Sequence, residues 1–203
     1  MRKTLYGLSV LLLAACGAQD NHAKMSSSLS TEQKQAASRS VVSFFFDGCV
    51  DQQGSEKKVA DWAITQGFAL LDNEARQKAA VGLIEPDAAQ VWQIQRNGSE
   101  ILLSLSNNGC SVKAISADES TVRRLFMERV KQAKPGRSVH LRGDNHVAEP
   151  FAVSQLAYAW WQNGDSQETL LSVNTSPTDQ SLAQAVLNYT RQPMQMQAGS
   201  ISN

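Results

Sequence analysis

The chain has 203 residues and carries 19 basic against 19 acidic side chains, with three histidines and three cysteines. That balance, with no run of basic residues, speaks against a nucleic acid partner and against polybasic attachment to anionic lipid. No Gly-x-Ser-x-Gly, no Gly-x-Gly-x-x-Gly and no phosphate-binding loop is spelled anywhere, so the common hydrolase and nucleotide signatures are lacking.

The first residues read as an export signal. Arg2 and Lys3 give a positive start, Leu5 to Leu13 an apolar run, and Ala14, Ala15 and Cys16 a small-residue exit. The apolar run is shorter than the roughly 20 residues a bilayer span needs. Leu13-Ala14-Ala15-Cys16 resembles the lipobox of bacterial lipoproteins. The resemblance implies cleavage by signal peptidase II before Cys16, a diacylglycerol on the Cys16 sulfur, and acylation of the new amine, with palmitate as the expected chain. Gly17 stands where similar Gram-negative lipoproteins retained at the inner membrane carry Asp. It therefore implies the periplasmic face of the outer membrane, with the inner membrane or the cell surface as alternatives. Loss of Arg2 and Lys3 would leave 17 basic against 19 acidic residues, a net of −2. Ala18 to Ser30 is small and polar and reads as a flexible linker, with a coil reach of roughly 20 Å for thirteen residues.

With Cys16 given to lipid by that resemblance, Cys49 and Cys110 remain, an even number for an oxidising compartment. A disulfide between them is expected, closing a loop of about 60 residues worth about 4 kcal/mol in the chain-entropy treatment. A reactive thiol would need a cation or base nearby, whereas Asp47-Gly48 and Asn108-Gly109 supply a carboxylate and amides. A buried pair of free thiols is the other alternative.

Along the body, Ser30-Thr31-Glu32-Gln33 spells a capping box, and Ala37, Val41, Phe44 and Phe45 follow at helical spacing. This first helix should stop near Asp47-Gly48. A second helix fits Ser55 to Gln66, with Val59, Trp62 and Ala63 on one face and Gly67 ending it. Asn73 to Gly82 suggests a third, short one, and Pro86 closes the section. The period then changes from helical to alternating. Val91 to Gln95, Glu100 to Ser106 and Ser111 to Ser116 read as strands, separated by Asn97-Gly98 and Asn107-Asn108-Gly109. Asp118 to Lys134 returns to helical period through Val122, Leu125, Phe126 and Val130, before Pro135-Gly136. Ser138 to Arg142, Phe151 to Trp161 and Thr169 to Asn174 read as strands, with Asn163-Gly164-Asp165 as a turn. Leu182 to Thr190 is a strand or a final helix, and its β-rich Val186 to Thr190 tips it to strand.

The expected architecture is α+β: N-terminal helices packed on an antiparallel sheet of about six strands, with one inserted helix. The domain plan is a signal peptide over 1–15, a lipidated Cys16 and linker over 16–30, one α+β domain over 31–191, and a loose tail over 192–203. In this plan the Cys49–Cys110 bridge staples the helical layer to the sheet. The body is also similar to small proteobacterial envelope lipoproteins with a Phe-rich segment ending in Gly48-Cys49-Val50 and a later Cys110-Ser111-Val112. That similarity brings no known activity.

Candidate chemistry is sparse. His140, Asp144, His146 and Glu149, with Arg142, form the sole local group of metal-capable or catalytic types, and two histidines with a carboxylate suit zinc. Gly143-Asp144-Asn145, however, reads as a turn with the histidines on its flanks, which fixes nothing on one face. Arg142-Gly143-Asp144 spells an adhesion tripeptide, and three Asn-x-Ser/Thr triplets begin at Asn97, Asn174 and Asn188; all are short enough to occur by chance. Tyr158 and Trp160 should share a strand face with Trp161 opposite, either as core or as a stacking platform. The expected function is a lipid-anchored, non-enzymatic binding or accessory module, inhibitor- or immunity-like in one version, with no cofactor. Its partners would be the membrane through Cys16 and an envelope protein or cell-wall component. The alternative is an envelope hydrolase or metal-binding protein with a site near His140 to Glu149.

Overall fold

A computed structural model of the chain describes residues 29–107, 109–132, 136–149 and 151–194. The leader over 1–15, Cys16, nearly all of the linker, Asn108, Pro135 and residues 195–203 of the expected tail lie outside the described residues.

Helix α1 spans Thr31–Phe44 and begins as its sequence demands. Ser30 holds extended backbone, its Oγ accepts from the Gln33 amide at 3.2 Å, and Gln33 Oε1 accepts from the Ser30 amide at 2.9 Å. The helix does not stop at Asp47-Gly48. It widens into a π-helical turn over Phe45–Val50, which carries Phe45, Phe46, Cys49 and Val50 into the core. The extra residue per turn redistributes the side chains, so four apolar groups within six residues point inward. Helix α2, Glu56–Thr65, buries Val59 and Ala63 and lays Trp62 against the π turn. Gly48 makes that approach possible: a Cβ there would meet Trp62 Cζ3 at 2.5 Å.

Strand β1 is only Ala69–Leu70, followed by α3 over Asn73–Lys78, shorter than the expected helix to Gly82. Then come β2 (Gln90–Arg96), β3 (Ser99–Ser106) and β4 (Gly109–Ala114). The β2–β3 hairpin turns on Asn97 and Gly98 with φ of 54° and 80°, the double positive-φ geometry that Asn-Gly suits. Helix α4, Glu119–Lys131, is capped by Asp118, whose carboxylate accepts from the Thr121 amide at 2.9 Å. Four strands finish the fold: β5 (Ser138–Val147), β6 (Val153–Trp161), β7 (Gln167–Thr175) and β8 (Ala185–Pro193).

All eight strands form one sheet in the order β1-β2-β3-β4-β8-β7-β6-β5, with every pairing antiparallel. The α+β class and antiparallel sheet are as expected, but the strand count is eight, not about six. The two-residue β1 is the strand not read from sequence; the segment Leu182 to Thr190, left between strand and helix but tipped to strand, is β8, which starts at Ala185 and extends through Pro193, taking two residues from the expected tail. Two four-stranded meanders are joined through β4 and β8, and α4 crosses between them. The last strand therefore occupies the centre of the sheet.

Helices α1, α2 and α4 and the π turn share one core with one face of the sheet. The row Leu156, Val173, Leu187, Val112, Leu103 and Trp92, successive cross-strand partners, runs through that core. Cys49, from the π turn, bonds to Cys110 of β4, with Cα atoms 5.5 Å apart. The bridge ties the helical layer to the sheet, as the sequence reading expects. No helix among the described residues is long and apolar enough to cross a membrane.

Candidate functional site

Strand periodicity puts the neighbouring rows on the opposite face of the sheet. Ala157, Ser172, Asn188, Ser111 and Ser104 pair in register across β6, β7, β8, β4 and β3. A second row follows, with Ala159, Leu170, Thr190, Gly109 and Ser106. Nearly every side chain in these rows is small, and most are polar. The result is a shallow trough running across the strands. Gly109 keeps it open: a Cβ there would meet the Tyr189 carbonyl oxygen at 2.9 Å and fill the space beside Thr190 Oγ1 and Ser106 Oγ.

The segment from Leu71 to Ala89, containing α3, folds over one corner of this face. It forms a small second core in which Leu83 packs with Leu102, Ile115 and Ala183. It also carries Glu85 to the trough. Lys113, buried in β4, donates to Glu85 Oε1 at 2.8 Å and to the Leu83 carbonyl at 2.5 Å. Ser111 Oγ donates to the same Glu85 oxygen at 2.9 Å. Burial pushes the Glu85 carboxyl up, but the Lys113 ammonium, the backbone and the Ser111 hydroxyl outweigh it and hold the group below its ordinary 4.5.

Two polar atoms in this arrangement are buried without a partner, Glu85 Oε2 and Ser104 Oγ. Ser104 is only 3% exposed. Both residues line a pocket of about 90 Å³, with Ser106, Ser111, Asn188 and Thr190. Buried polar atoms are almost always satisfied, by ordered water where not by the chain, so these two orphans give the pocket polar walls that solvent or an incoming polar group completes. An ionised carboxylate oxygen can only accept, which requires an incoming N–H or O–H.

The far end of the open face holds a second polar cluster. Glu168 is 1% exposed and accepts from Arg142, and from Gln192 Nε2 at 2.8 Å. Trp161 stacks on His140 with centroids 4.1 Å apart, and the Arg142 guanidinium lies 5.6 Å from its ring centre. Trp161 thus faces opposite to the core residues Tyr158 and Trp160, as the strand period requires.

The residues singled out from sequence are separated by this geometry. Gly143-Asp144-Asn145 is not a turn; it lies inside β5, next to a bulge between Leu141 and Gly143. Without the bulge, His140 and His146, six apart, would share a face. The extra residue reverses the alternation. His140 pairs with Ala159 on the open side, whereas His146 pairs with Ser154 on the helical side and shares a 2.9 Å hydrogen bond with its Oγ. Asp144 points to α4 and accepts from Arg123 at 2.7 Å. Glu149 is exposed beyond the strand. Among the described residues, no three His, Cys, Asp or Glu side chains gather as a metal site.

Sequence reasoning missed Glu85, Ser104, Ser111, Lys113 and Asn188. One signal was present: Lys113 interrupts the apolar run from Val112 to Ile115, and a charge at a strand position flanked by core residues needs a buried counter-charge. No family model, curated protein or solved structure matches the chain.

Proposed function

We propose that this protein is a lipid-anchored cell-envelope protein, held by diacylglycerol on Cys16. It acts as a non-enzymatic binding or accessory module, in the manner of an inhibitor or immunity protein. The open face of the sheet is its binding surface. One observation carries that assignment: Glu85 Oε2 and Ser104 Oγ are buried and unpartnered beside a floor of small side chains. The partner is an envelope protein or cell-wall component that presents N–H or O–H groups to them. The enzyme alternative has less support, because the side chains it invokes, His140, Asp144 and His146, lie on both faces of β5.

The binding surface is tested by crosslinking the native lipoprotein in its own cells and isolating it with its partner. Asn188→Trp, which fills the trough at a half-buried position, should remove the crosslinked partner while leaving the disulfide and the circular dichroism intact. Lys58→Trp, on the exposed side of α2, should retain it. Equal recovery with both variants would place the surface elsewhere. The anchor has its own test: Cys16→Ser should abolish lipid labelling, and a processed Cys16→Ser protein that still stays on membranes would refute it.

A further inference from the structure

Seven large apolar side chains are strongly exposed among the described residues, and four of them collect at one pole of the sheet. These are Val81 (97% exposed), Val147 (53%), Phe151 (49%) and Leu182 (48%). Phe151 and Leu182 line one pocket of about 400 Å³ with Leu83. Gly82 reaches the same place, since a Cβ on it would lie 3.5 Å from Leu182 Cδ1. Val147 pairs with Val153 where β5 and β6 end.

The chain enters the fold at this pole. The Asn97-Gly98 turn and the loop between β7 and β8 both lie at the strand ends that meet there. Leu29 packs on that turn, its Cδ2 only 2.7 Å from where a Gly98 Cβ would stand. Lys34, in the first turns of α1, pairs with Asp179 of the loop at 3.2 Å. Twelve residues, thirteen Cα-to-Cα steps, lie between Cys16 and Leu29. Even fully extended they allow no more than about 45 Å between lipid and fold.

From these placements we infer that the Val81–Val147–Phe151–Leu182 pole docks on the lipid surface of the anchoring membrane. The inference rests on the lipid-anchor reading above. A few side chains of this kind bind bilayers weakly by themselves, but the tether supplies a high local concentration that makes the second contact intramolecular. The charged groups at this pole are Lys34, Arg96 and Lys113 against Glu85, Glu100, Asp118, Glu119, Glu149 and Asp179, an acidic excess with no basic cluster, so the contact is apolar insertion and not attraction to anionic headgroups. Docking there stands the strands along the membrane normal. The trough, which crosses the strands, then runs parallel to the membrane plane.

The test uses the full lipidated chain in zwitterionic phosphatidylcholine vesicles containing a spin-labelled lipid. A fluorophore is attached at Glu149→Cys beside the apolar pole, or at Asn163→Cys in the turn at the opposite pole. Quenching should be several-fold stronger at position 149 and unchanged in about 0.5 M salt, where screening extends only a few Å. Adding Phe151→Ser and Leu182→Ser should bring position 149 down to the level of position 163, while the protein still sediments with the vesicles. Equal quenching at both poles in sedimenting protein, or quenching that survives the double serine change, overturns the docking alone. Wild-type chain that bears no lipid and remains in the supernatant overturns the anchor, and the docking with it.

Discussion

Replacing both Cys49 and Cys110 by Ala tests how much of this fold depends on one covalent tie. The bridge spans 61 positions of sequence and joins the π turn to β4 in the middle of the sheet. Closing a loop of that size in the unfolded chain is worth about 4 kcal/mol at 25 °C. For a body of this length each kcal/mol moves the melting temperature by about 2–4 °C, so the double variant should melt about 8–16 °C lower. In urea, with a slope of about 2 kcal/mol per molar, the midpoint should fall by about 2 M, and the slope should rise as the released chain expands. Wild-type protein unfolded in reductant should match the variant. Both cysteines are buried, and alanine adds no polar atom to the core, so the native circular dichroism should not change. A midpoint change equivalent to less than about 1 kcal/mol would refute the argument that the stabilisation acts through the unfolded state.

Other outcomes follow from particular contacts. Glu85→Gln should cost about 2 kcal/mol at neutral pH, because it weakens a charged hydrogen bond to buried Lys113. Folding holds the Glu85 carboxyl below its ordinary 4.5, so its stabilisation is complete above that pH and is lost as pH falls through the lower folded value; urea titrations of wild type and variant should converge in acid. Arg142→Met should destabilise by about 3 kcal/mol by leaving Glu168 buried and uncompensated, and Arg142→Met with Glu168→Leu should recover most of the loss in the same assay. Gly48→Ala should cost about 1–3 kcal/mol through collision with the Trp62 ring, and Trp62→Leu should make the second change nearly free in a double-mutant cycle.

What could be read from sequence was what local chemistry decides. The capping box at Ser30, the Asn97-Gly98 hairpin, the period change after Pro86 and the Cys49–Cys110 pair all depend on a few adjacent residues or on counting thiols. The misses share another cause. The π turn changes the number of residues per turn just where Phe44, Phe45 and Phe46 make any phase look apolar. β1 is two residues long and exists only because β2 is there to pair with it. The trough was invisible for a related reason. Ser104, Ser111, Asn188 and Ser172 are unremarkable alternating polar positions along four separate strands, and they become a row only once β8 is placed between β4 and β7. Glu85 reaches them from a segment with no period at all.

The bulge in β5 has a consequence for how copies of this protein coexist. β5 is an edge strand of the sheet, ten residues long, with β6 as its one strand partner among the described residues. A regular edge of that length is a template for another strand. Here the extra residue beside Gly143 breaks the spacing of the free amides and carbonyls partway along. A straight strand can therefore match one half of β5 or the other, but not both in a single register. Two copies meeting at this edge cannot pair along its full length in one register. The residue that parts His140 from His146 thereby also interrupts the hydrogen-bonding edge of the sheet.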